Sequence, residues 1–344
     1  MEKQYSSIPL FQENGLSCLR KKIDKRKLTY MNEIKLGKAN LEVFSETLIE
    51  LAKNDKDIVV VTSDSRGSGK LVPFGEKFPE QIVEVGIAEQ NLVGIAAGLA
   101  AAGKKVFAVS PACFLTARSF EQIKNDVCYS DHPVKLIGIS AGVSYGALGS
   151  THHSLHDIAA LRAVNNISII APADNFETRE SIKLAAEMQS PVYIRFGKRA
   201  IEHVHQPNTV FKLGKAITIC EGTDVAFIAT GETVVQSLLA AQLLEQQGIS
   251  CRVVSMHTIK PLDGDAVIES AKKCKAIITV EEHLVFGGLG EACAAHLMQA
   301  GISVPFKIVG IPDEYTVTGK QLEIFKYYGM TAEGLSRAVI ELIS

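Results

Sequence analysis

Short apolar runs alternate with segments of helical spacing along nearly the whole chain, from Leu36 onward. The runs Ile58–Thr62, Ile82–Val85, Val106–Val109, Val134–Ser140, Ile167–Ala171 and Val192–Phe196 predict strands. Helices are predicted over 40–54, from Glu89 through Leu99, and over 114–130, 155–165 and 175–188. A stretch of little periodicity, 198–214, holds Pro207, Asn208 and Gly214 and reads as a linker. A second series follows it, with strands Val225–Ala229, Cys251–Ser255, Ala276–Val280 and Phe306–Val309. Its helices are expected near 232–247, 263–273, 288–300 and 331–343. Alternation at this spacing implies right-handed crossovers and mostly parallel sheets covered on both faces. The expected fold is α/β, with two doubly wound domains at 37–205 and 206–344 after a head of residues 1–36.

One stretch organises the first domain. Residues 83–103 read VEVGIAEQNLVGIAAGLAAAG, with Leu92, Ile95, Ala96 and Leu99 at helical i, i+3, i+4, i+7 spacing. The helix is rich in Ala and Gly and nearly uncharged, so both faces are expected to be buried. Glu89 sits in its first turn. A glutamate there complements the helix dipole at an exposed N-terminus. Held inside an apolar site, the same group is a candidate for a raised pKa and acid–base work. The apolar neighbours favour the second reading.

Composition narrows the class. The chain has 344 residues, 47% of them hydrophobic, which is ample for two cores. A formal net charge of −2 argues against a general nucleic-acid binder. No apolar run reaches the length of a bilayer span. Seven scattered cysteines without a C-x-x-C pair fit free thiols in a reducing compartment, and hence the cytoplasm, better than disulfides or a zinc site. Residues 20–27, RKKIDKRK, carry six basic groups and one acid, which reads as a disordered tail or as an arm for nucleic acid or a membrane surface. No apolar core of a secretory signal follows those charges, and Met31 offers an alternative start.

Several motif-like stretches carry nothing. Residues 64–70, DSRGSGK, lack phosphate-loop spacing, and no G-x-S-x-G occurs. Gly287-Gly-Leu-Gly290 is not G-x-G-x-x-G, and close strand–helix packing explains it. Three segments remain. Residues 114–123, FLTARSFEQI, bring Phe114, Arg118 and Phe120, with core packing the default for the aromatics. Residues 142–157 are glycine-rich and end in His152, His153 and His156. Such a loop holds backbone close to a ligand, and one histidine suits a cleft as hydrogen-bond donor or acid–base group better than as a metal ligand. Arg195, Lys198 and Arg199 follow a strand, where an anionic group or a solvated basic turn fits equally.

Read together, these segments resemble the C-terminal half of a transketolase. The matching stretches are VGIAEQNLVGIAAGLA at 85–100, FLTARSFEQI at 114–123 and DHPV at 131–134. GSTH at 149–152, APADN at 171–175 and TVEEHLVFGGLG at 279–290 follow in the same order. The resemblance covers about 37–344. It implies thiamine-diphosphate chemistry at a subunit interface, with Glu89 bonding the aminopyrimidine ring of the cofactor. Phe114 matches the aromatic that stacks on that ring, with Arg118 and Phe120 beside it. His152 matches the histidine that handles the substrate oxygen. Lys198 matches a cation that grips the substrate phosphate, and Ser68 assists.

Two positions depart from the family pattern. Leu148 stands where an acidic residue commonly contacts a substrate hydroxyl, and Ser140 replaces a histidine of the donor channel. An unusual ketose phosphate or a related donor is therefore expected. The G-D-G…N signature that holds the diphosphate and its magnesium in the family is absent from the 344 residues. The resemblance thus implies one subunit of a split transketolase. It would share the cofactor with a separate N-terminal subunit in a heterotetramer built on a two-fold axis. Three alternatives stand beside this reading: a β subunit of a 2-oxoacid dehydrogenase, half of a deoxyxylulose-phosphate synthase, and a non-catalytic regulatory subunit.

Overall fold

The computed structural model describes residues 34–344, so the basic head and Met31 lie outside the described residues. In the first half the strands are β1 (Leu36–Ala39), β2 (Ile58–Thr62), β3 (Ile82–Glu84), β4 (Lys105–Pro111), β5 (Lys135–Ile139), β6 (Ser168–Ile170), β7 (Val192–Arg195) and β8 (Ala200–Glu202). The second half adds β9 (Ile217–Cys220), β10 (Val225–Ala229), β11 (Cys251–Ser255), β12 (Thr258–Lys260), β13 (Ala276–Leu284) and β14 (Phe306–Ile311).

The first sheet runs β12-β6-β7-β5-β4-β2-β3, and the second runs β14-β13-β10-β11-β9. Strands β2 to β7 are parallel throughout, and only β12 runs antiparallel, against β6. In the second sheet β9 alone is antiparallel. The fold is two α/β units with mostly parallel sheets, as the alternation implies. The apolar runs are buried on both faces, β2 and β5 along their whole length.

The differences lie where the pattern is short or locally broken. β1 and β8 pair with each other as a separate two-stranded sheet, β9 and β12 lie at the edges of the larger sheets, and all four hold three or four residues, too few to show a period. β12 belongs to the second half yet completes the first sheet. Helices Val72–Lys77 and Gln321–Tyr327 were not expected. The helix expected over 114–130 breaks at Ser119 into Ala112–Arg118, a turn at Phe120–Gln122 and a π-helical Ile123–Tyr129. Thr116 Oγ1 donates back to Ala112 O and Ser119 Oγ to Leu115 O, contacts that bend helices.

The Glu89–Ala101 helix also corrects an expectation. Leu92, Val93, Ala96, Ala97 and Ala100 are buried, but Gln90, Asn91 and Gly98 are exposed. Small apolar residues covered the opposite face too cheaply for the sequence to distinguish a packed face from an open one.

The two units meet over residues 279–290. Glu281 accepts from Leu289 N (2.6 Å) and Gly290 N (2.9 Å), closing the start of helix Leu289–Gln299. Glu282 reaches the other way and accepts from Val143 N (2.8 Å) and Gln321 Nε2 (2.9 Å). Burial pushes Glu281 up to about 7. Burial, then the like charge of Glu232, does the same to Glu282. Burial holds His283 down at about 4. Its neutral ring donates through Nδ1 to Leu284 O (2.7 Å) and accepts through Nε2 from Ala159 N (3.3 Å).

Two glutamates whose folded pKa lies above the ordinary 4.5 bind more protons folded than unfolded. The stability these two carboxyls contribute should therefore fall as pH rises from about 4.5 through about 7. Glu282→Gln keeps an acceptor for Val143 and Gln321. It is expected to flatten that slope and to raise the thermal midpoint above pH 7. Midpoints measured from pH 5 to 9 check this, and an undiminished slope in the variant would contradict it.

The linker is clasped rather than loose. His205 lies 3.0 Å from both Asp174 Oδ2 and Glu177 Oε1. Burial works against a charged ring there, yet Glu177 and Asp174 keep it protonated up to about 10. Glu177 also accepts from Ser255 Oγ (2.6 Å) on β11, so one carboxylate ties the linker to the second unit.

Candidate active site

Ligands of open parallel sheets bind beyond the carboxyl ends of the strands. The chemistry-bearing residues collect at that edge of the first sheet. Glu89 follows β3, Phe114 and Arg118 follow β4, the glycine-rich loop follows β5, and Lys198 follows β7.

Glu89 is buried, with 4% of its surface exposed, at the first position of its helix. Both of its oxygens accept from Arg118 Nη1, each at 3.0 Å. The carboxylate is thus ion-paired instead of standing alone among apolar groups. The sequence could not show this, because Arg118 comes from a helix 29 residues further on.

From Arg118 the contacts continue through aromatic rings. Its guanidinium lies 4.2 Å from the centre of the Phe114 ring. Phe114 meets His152 edge to face, with centroids 5.3 Å apart. His152 meets Tyr145 in the same way at 5.4 Å. Lys198 Nζ stands 4.7 Å from the centre of the Tyr145 ring. Glu89, Arg118, Phe114, His152, Tyr145 and Lys198 therefore form one continuous line along the sheet edge.

Two expected members stand apart from that line. Phe120 is half-buried and packs on the core formed by Leu92, Ile123 and their neighbours. Ser68 lies in the loop after β2 at the same sheet edge, where its Oγ donates to Ser65 O (3.2 Å). Leu148 is 55% exposed, and Ser140 is fully buried with φ of 55°. A serine in the left-handed region is backbone strain at the start of the glycine-rich loop.

The loop after β5 is built against the second unit. A bridge between Gly142 and Ser154 closes it. Gly142 has φ of 62°, and a Cβ there would overlap the Glu282 carboxyl. His153 is buried, which pulls its pKa down. Its Nδ1 lies 2.6 Å from Thr316 Oγ1, and its Nε2 lies 3.0 Å from Gly146 O. His152, one residue earlier, faces the aromatic line instead, with Nδ1 2.9 Å from Thr151 Oγ1. The three histidines do different jobs. His156 is exposed just before helix Asp157–Arg162. Among the described residues no cluster of His, Cys, Asp or Glu is placed to hold a metal.

The three cations after β7 also separate. Arg195 is buried and donates to Asp157 Oδ1 (2.9 Å) and Glu282 O (3.1 Å). Arg199 lies near Glu202 and Glu232. Lys198 is exposed, and among the described residues it has no carboxylate partner within ion-pair distance. Of the three, Lys198 is the one without a carboxylate beside it among the described residues.

Sequence reasoning missed Tyr145, Thr316 and Gln321. Tyr145 had a signal, an aromatic in the middle of a glycine-rich loop. Thr316 and Gln321 had none, since their roles arise only when the units pack.

Comparison with known proteins gives this arrangement a family. The model of the "Transketolase, pyrimidine binding domain" matches residues 37–203, and that of the "Transketolase, C-terminal domain" matches 214–335. The chain is 49% identical over 301 residues to a subunit of the apulose-4-phosphate transketolase of Phocaeicola vulgatus, covering 87% of this chain and 96% of that one. It is 35% identical to a subunit of the 6-deoxy-6-sulfo-D-fructose transketolase of a Clostridium species, covering 90% of this chain and 96% of that one. The solved structure "Split gene transketolase, inactive beta4 tetramer" superposes with a TM-score of 0.80 at 38% identity, covering 89% of this chain and 98% of that one. With both family models matched in order, and a relative at 49% identity covered over 96% of its length, the chain belongs to the transketolase family.

Proposed function

We propose that this chain is the C-terminal subunit of a split transketolase. It transfers a two-carbon ketol unit from a ketose phosphate to an aldose or aldose phosphate, together with an N-terminal partner subunit. The observation that carries this reading is the unbroken line from Glu89 to Lys198 at the carboxyl edge of the first sheet. The relatives named as transketolase subunits, matched over nearly their whole length, support the need for a partner.

The residues fit thiamine diphosphate. A buried carboxylate at a helix start is joined through Arg118 to a half-buried aromatic ring, and a carboxylate and a ring face are what an aminopyrimidine needs. When bound, the cofactor supplies the nucleophilic carbon that carries the two-carbon unit. Glu89 holds the proton shared with the pyrimidine nitrogen, and Phe114 presents the ring face. Arg118 is half-exposed, so it can hold the Glu89 carboxylate in place and yield one oxygen to the pyrimidine. His152 donates to or accepts from the substrate oxygen. Lys198 takes the phosphate, and Ser68 lies at the same edge. Magnesium and the diphosphate fall to the partner subunit. A heterotetramer about a two-fold axis, working in the cytoplasm, completes the proposal, and the tetrameric split-gene neighbour supports self-association.

Leu148 and Ser140 in place of polar family residues favour a donor with unusual hydroxyl stereochemistry. Apulose 4-phosphate is the first donor to test, given the relative at 49% identity. The test mixes the chain with its partner, magnesium and thiamine diphosphate and follows two-carbon transfer to an aldose phosphate. Transfer only in the mixture supports the reading. Carbon dioxide release from pyruvate, or reduction of a lipoyl domain, would contradict it.

A further inference from the structure

We propose that Tyr145 is the residue that sets substrate specificity in this site, by holding both His152 and Lys198 against its ring. The proposal rests on the ketol-transfer reading. Tyr145 lies between the residue that meets the substrate oxygen and the cation that meets its anionic end, and it touches both. One ring therefore fixes both groups relative to each other, and their spacing selects the length of the phosphorylated ketose.

The loop keeps the ring where it is. Tyr145 enters the short 3-10 turn Gly146–Leu148. Gly146 has φ of 55°, and a Cβ there would lie 2.6 Å from Gly319 O. His153 grips Gly146 O from one side and Thr316 Oγ1 from the other. The backbone under Tyr145 is thus held by the second unit, and its side chain is half-buried. Burial raises the phenol above its ordinary pKa, so the ring stays neutral.

The choice of an aromatic partner for Lys198 has a chemical consequence. A carboxylate beside Lys198 would fix its position but cancel the charge that a phosphate needs. A ring face attracts the ammonium through its quadrupole and leaves the charge intact. Lys198 is positioned without being neutralised. The edge contact to His152 restrains the imidazole in the same way, leaving its nitrogens for Thr151 and the substrate.

The test compares Tyr145→Phe, which keeps the ring, with Tyr145→Leu, which keeps most of the volume but loses the quadrupole. In the reconstituted enzyme, kcat/KM is measured for one ketose with and without its phosphate. Leucine should lower the preference for the phosphorylated form by about tenfold, mainly through KM, and phenylalanine should preserve it. Equal losses with both ketoses, or a phenylalanine variant as poor as leucine, would overturn the proposal.

A second readout needs no turnover. Inorganic phosphate should raise the thermal midpoint of the full chain and of Tyr145→Phe, but not of Tyr145→Leu or Lys198→Ala. If phosphate discriminates the variants while the reconstituted enzyme transfers nothing, the Tyr145 assignment stands and the ketol-transfer reading falls. If phosphate shifts all four alike, the Tyr145 assignment falls.

Discussion

Glu89→Ala is expected to lower ketol transfer by about a thousandfold, the range of a lost acid–base or charge-stabilising group, while the complex with the partner still assembles. The two halves of that expectation have separate origins. The loss of turnover follows from removing the one buried carboxylate in the line of contacts at the sheet edge. The intact assembly follows from the exposure of its partner. Arg118 is 48% exposed, so its guanidinium returns to water when Glu89 is removed and no buried charge is stranded. Steady-state transfer, measured beside the size and thermal midpoint of the complex, separates the two. A fully active variant would make the chain a non-catalytic subunit that kept the fold.

Arg195→Met is expected to have the largest effect on stability, about 3–5 kcal/mol, because it breaks a buried pair by removing one partner. Arg195 is 6% exposed, and Asp157 is fully buried. Without the guanidinium, the hydrogen-bond donor left to Asp157 among the described residues is the Tyr193 hydroxyl at 2.6 Å. The substitution also removes the donor to Glu282 O, so the first unit loses a tie to the second. Urea unfolding checks the size of the effect. The double variant Asp157→Leu with Arg195→Met should recover much of the loss, because both buried charges are then gone. A single-variant cost below about 1 kcal/mol would show that water reaches the pair.

The fold was legible because each main strand is a run of apolar residues bounded by helical spacing. β2, β10 and β11 match the expected runs residue for residue. What the pattern did not carry was the short strands β1, β8, β9 and β12, whereas the equally short edge strand β3 was marked by the helix it leads into. β12 shows why: Thr258–Lys260 has no period of its own, and its pairing with β6 arises only once the two units pack.

Legibility of the site divides along the same line. Glu89, Phe114, Arg118, His152 and Lys198 each sit in a stretch whose composition marks it. That Lys198 and not Arg195 faces the open edge was not legible in composition or spacing, and only the family resemblance singled out Lys198. The three cations look alike until Asp157 and Glu282 engage Arg195, and Glu202 and Glu232 approach Arg199. The pairing of Glu89 with Arg118 was hidden for a related reason. β3 and β4 are not neighbours in the sheet, since β2 lies between them, so contact between the segments after them depends on helix packing. Phe120 shows the converse. Its motif marked it for the site, while its side chain joined the core.

The measurement that tests the central claim most directly is calorimetric binding of thiamine diphosphate with magnesium, first to the chain alone and then to the chain mixed with its N-terminal partner. A cofactor shared between two subunits predicts tight binding, and ketol transfer, only in the mixture. Tight binding by the chain alone would place the diphosphate site within this chain and contradict the split-enzyme account.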